Sequence, residues 1–394
     1  MKIVDVCGFY SETGGGVRSY VHHKLEAAAR AGHQLTIIAP GAEDRVQSML
    51  GGKIIWLAGA PMPFDDNYRL FGSSRQVWRV IDGEAPDVLE GSSPWKSGRL
   101  AAEWPGQAIR TLIFHQDFVA GYPYTALGGL LSLKSIDAVF AAYWRYVRRL
   151  SERFDVTVAG GEWLAERLAG FLVHNPVAVP FGVESRRFSP AKRDEGLRRA
   201  LLAACGVPPE GRLLLAVGRF HPEKRQTTLI DAFALARQAR GDLGLVLVGD
   251  GMHRGAVERR AAGVGQVHLA GAVTDRDQLA SIYASADALI HGSAAETYGL
   301  VVAEAISSGL PVVTPDAGGA ADLARRGRSR TYAAGNAKAC AAAILELLAR
   351  LDRGGEGLDP TQSPPGSAED HFTALFALYQ TLIDEPRRKG SKVK

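Results

Sequence analysis

The chain has 394 residues, 46% hydrophobic and 22% charged, an ordinary globular composition on a length that one hydrophobic core does not usually span, so two domains are expected. No apolar run is long enough to cross a bilayer, MKIVDVCGFY reads as a strand entering a polar loop and not as a leader, and Cys7, Cys205 and Cys340 are too far apart for a disulfide framework or metal spacing; cytoplasmic residence and buried thiols are the expectation. The net charge of +4 is concentrated in the last nine residues, where Arg387, Arg388, Lys389, Lys392 and Lys394 have no acid among them, and the nearly neutral body gives no basis for nucleic acid as a partner.

In chain order, residues 2–7 form a buried strand, GFYSETGGG breaks the pattern, and residues 17–31 resume with helical spacing. A strand, a glycine loop and a helix let a phosphate approach the backbone, although Gly14, Gly15 and Gly16 lack the full dinucleotide fingerprint. Strand-like runs follow at 34–39, 54–57, 87–90 and 110–114, with helical stretches between some of them. His115 stands just past TLIF, either as a satisfied structural histidine or at the strand end where ligands bind. Residues 137–153 predict a helix with Phe140, Tyr143, Trp144 and Val147 on one stripe and Arg145, Arg148 and Arg149 mostly off it. That is a core helix with a solvated basic face, or a basic and aromatic surface for a membrane. Trp95, Lys96, Trp104, Tyr122 and Tyr124 add similar material to the same half. VPFGVESRRFSP, residues 179–190, closes it with a turn-rich segment.

The second half opens with an apolar strand at 213–217 and then GRFHPEKR. Arg219 and Lys224 follow the strand closely enough to enter one crevice, where two fixed cations suit a diphosphate; a surface pair beside Glu223 is the bland alternative. LGLVLVGDG is a strand and turn, and VHLAGAVTDRDQLASIYASAD brings a strand, a loop at Gly271 and a helix. Asp275 and Asp277 spell D-x-D, a metal-chelating pattern, but Asp277 sits where a helix start favours an acid, and that reading is rejected. A strand at 287–291, a small-residue loop, a helix at 299–308 stopped by Gly309, and a strand at 311–314 form a unit of the kind that builds a parallel sheet. Its loop lies at the carboxyl end of the strands, where open α/β sheets bind ligands. Glu296 is in the loop and Glu304 about a turn and a half into the helix. N–H groups of Tyr298, Gly299 and Leu300 at the helix start attract anions. A phosphate cradle beside two hydroxyl acceptors suits a nucleotide-sugar, whereas Glu296 as a dipole-favoured residue and Glu304 as a solvated one would need no ligand. Residues 337–351 are helical, 352–367 a loop by composition, and 368–383 a final amphipathic helix.

Glu296 and Glu304 with seven residues between them, followed by GLPVVTPDAGG, closely resemble the E-x7-E signature of retaining glycosyltransferases of family 4, which have the GT-B fold. GGGVRSY, the strand-end His115 and GRFHPEKR extend the resemblance over nearly the whole chain. It implies an α/β protein of two doubly wound, Rossmann-like domains facing across a cleft. Residues 1–185 would bind the acceptor and 186–366 the nucleotide-sugar, while the helix in 367–385 packs back on the first domain ahead of a basic tail, 386–394. His115, Arg219, Lys224 and Glu296 are implied to act in catalysis. The donor is implied to lie against Gly15, Gly16, Arg219, Lys224, Ala272, Val273, Glu296, Tyr298, Gly299, Leu300 and Glu304. Among these the glycine loop meets the diphosphate, Ala272 and Val273 the base, Glu304 the ribose, and Glu296 and His115 the sugar. No residue is an evident nucleophile, so a front-face course without metal or cofactor is expected. UDP is preferred to GDP as the donor nucleotide. The basic and aromatic first half and the basic tail favour a membrane lipid acceptor such as diacylglycerol or a polyprenyl carrier, with the enzyme peripheral on the inner face of an anionic membrane. A soluble sugar or metabolite acceptor is the alternative. A nucleotide-sugar 2-epimerase would need acid/base carboxylates beside the ring, and a non-catalytic binding module would not need Arg219, Lys224, Glu296 and Glu304 together.

Overall fold

Apolar runs between polar turns make most strands of the first half, β3 and β6 being polar: β1 (Lys2–Val6), β2 (Gln34–Gly41), β3 (Arg45–Met49), β4 (Gly52–Ala58), a detached hairpin of β5 (Pro61–Met62) and β6 (Asp65–Arg69), then β7 (Val88–Gly91), β8 (Ile109–Phe114), β9 (Val156–Ala159) and β10 (Pro176–Ala178). In the computed structural model, which describes residues 1–12, 16–63, 65–124, 132–325, 329–354 and 365–385, eight of them form a sheet of order β10-β9-β8-β7-β1-β2-β4-β3. Every pairing in it is parallel except β3 with β4. The polar, half-exposed β3, RVQSM, closes one edge, as short charged edge strands do. The second half contributes β11 (Arg212–Val217), β12 (Leu243–Val248), β13 (Val267–Gly271), β14 (Ala288–Ile290), β15 (Val312–Pro315) and β16 (Arg330–Tyr332), all parallel, in the order β13-β12-β11-β14-β15-β16. β12, LGLVLV, is buried at every residue, because helices cover both faces of a parallel sheet.

The strand orders place the ligand sites. The chain leaves β11 outward to β12 and β13 and returns to β14 on the other side, so the loops after β11 and β14 diverge around a crevice at their carboxyl ends. The first sheet switches in the same way between β1 and β7. Two connections join the halves, and they lie side by side, parallel, where Val183 pairs with Ser367. A Cβ on Gly182 would lie 1.8 Å from the Ser367 carbonyl oxygen, so only glycine allows this approach. Ser367 then caps the helix Ala368–Asp384 through a reciprocal box with Asp370. Phe372, Leu375, Phe376 and Tyr379 of that helix join the core of the first domain beside Leu25, Ile37 and Val179. The helix expected at 137–153 is two, Leu133–Val139 and Ala141–Ser151, broken at Phe140, whose backbone leaves the helical region. Cys7, Cys205 and Cys340 are buried free thiols. Among the described residues no helix is long and apolar enough to cross a membrane. Gly14, Gly15 and the basic tail 386–394 lie outside the described residues.

Candidate active site

The adjacency of β11 and β14 brings the two halves of the site together. After β11 the chain turns through Gly218 at φ +145° into a 3-10 turn, Pro222–Lys224, and the helix Gln226–Ala239. After β14 it runs through His291 to Gly299 and into the helix Leu300–Ser307. Lys224 Nζ donates to Glu296 Oε1 at 2.5 Å and to Glu223 Oε1 at 3.1 Å, while Ser293 Oγ donates to the same Glu223 oxygen at 3.2 Å. Burial works against both charges here. The Lys224 ammonium and the His291 imidazole, 3.4 Å away, nonetheless hold Glu296 well below the usual carboxylate range. The carboxylates of Glu296 and Glu223 in turn keep Lys224 above the ordinary lysine value against its desolvation. Arg219 is exposed at the same turn and has no ion pair among the described residues.

Glu304 lies on the other flank. Its Oε2 accepts from Tyr283 Oη at 3.0 Å, and its Oε1 is 2.9 Å from the Arg276 guanidinium, which also reaches Glu184 at 3.1 Å. Burial raises the Glu304 pKa against the pull of Arg276 and Tyr283. Gly299 starts the helix at φ +92°, and a Cβ there would come within 3.1 Å of Ala320 Cα; no side chain caps this helix start. Tyr298 is buried, Leu300 exposed, and Gly319 N donates to Glu296 O at 2.7 Å, so the loop is pinned from both sides. Ala272 and Val273 follow β13, the first exposed and the second packed against the core. Asp275 caps the helix Arg276–Ser285 by accepting from Asp277 and Gln278 N–H groups, and Asp277 is 3.3 Å from Lys192. The D-x-D pair is therefore occupied by helix capping and a surface ion pair.

The first domain supplies the facing wall. His115 follows β8, and its carbonyl accepts from Thr297 Oγ1 at 3.0 Å across the cleft. Burial lowers its pKa to about 4, so the ring is neutral near pH 7, and its enclosed Nε2 has no hydrogen-bond partner among the described residues. Tyr20 packs edge-on against it at 4.9 Å. Gly16, exposed, begins the helix Gly16–Arg30 that carries Tyr20. At the β1/β7 switch point Lys24, fully buried, pairs with Asp5 at 3.0 Å and with Glu90, which also accepts from Tyr379 Oη at 2.9 Å.

The basic helix keeps Trp144, Val147 and Leu150 in the core, with Trp144 stacked on Phe171 at 3.9 Å, and leaves Arg145, Arg148 and Arg149 exposed. Trp104 is buried and Lys96 Nζ is taken up by the Phe71 and Gly72 carbonyls. Trp95 and Tyr122 remain exposed and pack with Phe118 near the cleft, where Tyr122 meets His221 at 6.3 Å.

The sequence assigns no site role to Arg276, Tyr283, Glu223, His291 or the Lys24 cluster, with Glu223 entering only as the neighbour in a surface pair and His291 only as the end of a strand. Only Lys24 had a local signal, a lysine amid the buried Val21, Leu25 and Ala28 of its helix.

Comparison with known proteins agrees with this architecture. The profile described as Glycosyltransferase Family 4 matches residues 14–187, and the one described as Glycosyl transferases group 1 matches 211–350. A GDP-mannose-dependent alpha-mannosyltransferase of Mycolicibacterium smegmatis is 31% identical over 378 residues, covering 90% of this chain and 91% of that one. A GDP-mannose-dependent alpha-(1-6)-phosphatidylinositol dimannoside mannosyltransferase of Mycobacterium tuberculosis is 27% identical over 336 residues, covering 82% and 84%. The crystal structure of a glycosyltransferase from Rickettsia africae superposes with a TM-score of 0.72 over 98% of this chain and 99% of its own, at 16% identity. With two doubly wound domains, a half-buried Glu–Lys pair at the switch point of the second and a relative above 30% identity along nearly the full length, the chain belongs to glycosyltransferase family 4, has the GT-B fold and is a hexosyltransferase.

Proposed function

We propose that the enzyme moves mannose from GDP-mannose, with retention and without a metal, to a hydroxyl of a phosphoinositide-type lipid headgroup. The observation that carries the reaction is Lys224 held between Glu223 and Glu296 at the β11/β14 switch point, beside Arg219 and the uncapped helix start at Gly299. In this reading residues 186–366 hold the donor and residues 1–185 the acceptor. Arg219, Lys224 and the backbone from Tyr298 to Leu300, with Gly16 opposite and Gly15 assigned from the sequence alone, receive the diphosphate. Glu304 takes the ribose hydroxyls, Ala272 and Val273 flank the base, and Glu296 and His115 orient the sugar. The C1–O bond to GDP breaks with its electron pair going to the phosphate oxygen, where the two cations stabilise the growing charge. The acceptor hydroxyl forms the new C1–O bond on the same face, and its proton passes to the departing phosphate.

The expectation of UDP gives way to GDP on the names of the mannosyltransferase relatives. The lipid acceptor is supported by the phosphatidylinositol dimannoside substrate in one of those names and by the exposed Trp95, Tyr122 and arginine face of the first domain. The test incubates the protein with GDP-mannose, UDP-glucose and UDP-galactose in micelles containing phosphatidylinositol, with and without EDTA. Release of GDP alone, a mannolipid of unchanged anomeric configuration by NMR, and indifference to EDTA are expected. Turnover of a UDP-sugar in preference to GDP-mannose would replace the donor assignment, and EDTA-sensitive activity restored by manganese would return Asp275 and Asp277 to consideration.

A further inference from the structure

A second polar cavity, of about 480 Å³, opens on the far side of the turn that carries Lys224. Gln226 lines both this cavity and the narrow crevice containing Lys224 and His291, so the two spaces share a wall. Its polar lining comes from His221, Arg225, Thr227, Thr228 and His253 of the second domain and Tyr124 of the first. Among the described residues no carboxylate lines it. Asp316, in the adjoining loop, accepts from Ala334 N–H at 3.2 Å, and Tyr124 donates its own proton to Asp137 at 2.6 Å.

Arg225 is the centre of this cavity. Its guanidinium is directed toward Gly335 on the opposite wall, where a Cβ would stand 2.8 Å from a guanidinium nitrogen, and it has no ion pair among the described residues. Its backbone is left-handed, φ +50° and ψ +39°, a conformation that glycine adopts more readily. The helices that begin beside it, Gln226–Ala239 and Arg254–Ala262, have no side-chain cap, so their first N–H groups add to the positive potential. A guanidinium aimed across a cavity of this size, with hydroxyls and imidazoles around it and no acid on the lining, is suited to an anion larger than bare phosphate.

We propose that this cavity binds the phosphate ester of the acceptor, with Arg225 as its principal partner, while the acceptor's reacting hydroxyl reaches over Gln226 toward the sugar. The proposal rests on the acceptor reading above and specifies which domain grips the charged group: the donor domain, not the acceptor domain alone. The chemistry recognised is a phosphate mono- or diester on a polyol, supplied by a lipid headgroup or by a soluble polyol phosphate.

Calorimetric titration of the full chain without donor, using myo-inositol 1-phosphate and phosphate-free myo-inositol, is the direct test. Flotation with phosphatidylcholine vesicles with and without 20% phosphatidylinositol identifies the lipid source. Binding of the ester but not of myo-inositol, weakened about tenfold or more in Arg225→Gln and partly restored in Arg225→Lys, is the expected result. Binding only to phosphatidylinositol vesicles with the same dependence on residue 225 assigns the lipid source and equally supports the site. Equal binding of ester and myo-inositol, or ester and vesicle binding unaltered in an Arg225→Gln protein that melts like wild type, overturns it. Because no nucleotide is present, these outcomes stand apart from a failure of the GDP-mannose assignment, which the donor panel reads separately.

Discussion

Lys224 sits between two carboxylates, and this explains why its replacement should reach chemistry more than binding. Glu223 and Glu296 hold the ammonium in a fixed position, so in the proposed reaction it is already placed when charge builds on the leaving phosphate and needs little reorganisation. Lys224→Ala is expected to lower kcat by about two to three orders of magnitude, the scale seen when one oriented stabilising donor is removed. Glu304 is different in kind. In the proposed reading it meets the ribose, a contact equally present before and during bond cleavage, so Glu304→Gln should raise KM for the donor and leave kcat comparatively intact. The two variants, assayed for GDP release over a range of donor concentrations, should separate along kcat and KM. A Lys224→Ala enzyme with wild-type kcat would remove that residue from the charge-stabilising role. Glu304→Gln also alters the carboxylate that Arg276 and Tyr283 share, and a melting curve shows how much of the effect is structural.

At the scale of elements, the final helix does more than cover the first sheet. His371 Nδ1 faces the Pro180 carbonyl at 3.1 Å and Nε2 faces Tyr20 Oη at 3.2 Å. A carbonyl can only accept, so the proton is on Nδ1 and Tyr20 must donate to Nε2. Tyr20 in turn packs against His115, so the place where the two interdomain connections pair is linked by side chains to the cleft wall. Tyr20→Phe leaves a buried ring nitrogen without its donor and should cost about 1–3 kcal/mol. In a double-mutant cycle with His371→Phe the losses should be clearly less than additive; additivity within about 0.5 kcal/mol would show that the pair is not coupled. None of this is written in local sequence, and it marks where sequence reading stops. The strand–loop–helix from β14 to Gly309 was legible because its apolar run, loop and stop signals are contiguous, and E-x7-E lies within it. β3 and β9 were missed because one is a polar edge strand and the other is only VTVA. Arg276, the partner of Glu304, comes from a helix start whose flanking acids suggest only capping. The pairing exists because the sheet sets two helices side by side.

For the whole molecule, the buried histidines make stability depend on acidity. Burial lowers both His115 and His371 from an ordinary value of 6.5 to about 4. Between those limits the unfolded chain takes up protons that the folded chain refuses, so their contribution is complete above about pH 6.5 and is lost as the pH falls toward 4. Glu90, raised to about 7 by burial against the pull of Lys24, opposes this, because the folded chain keeps a proton there that the unfolded chain releases. Glu304, also raised by burial, opposes it too, while His22, His33 and His221, lowered by burial, act with His115 and His371. Five lowered histidines against two raised carboxyls leave a net fall in melting temperature from pH 7 to pH 4.5, and His371→Phe should make it shallower; an unchanged slope would dissociate His371 from the effect. The same whole-molecule view bears on membrane attachment. Arg145, Arg148 and Arg149 are exposed on one helix, with Arg148 3.4 Å from Glu152, while Trp95, Tyr122 and Val139 are exposed on the same domain. Each basic residue near an anionic surface contributes about 1 kcal/mol, the scale of a reversible attachment, which flotation tests. Aromatic rings of this kind settle at headgroup level. Wild type should float with vesicles containing anionic lipid and remain behind with neutral ones, and the Arg145/Arg148/Arg149→Glu variant should remain behind with both. Wild type that stays in the soluble fraction with anionic vesicles would remove the surface attachment, and a lipid acceptor would then have to be drawn from the bilayer without electrostatic help from this helix.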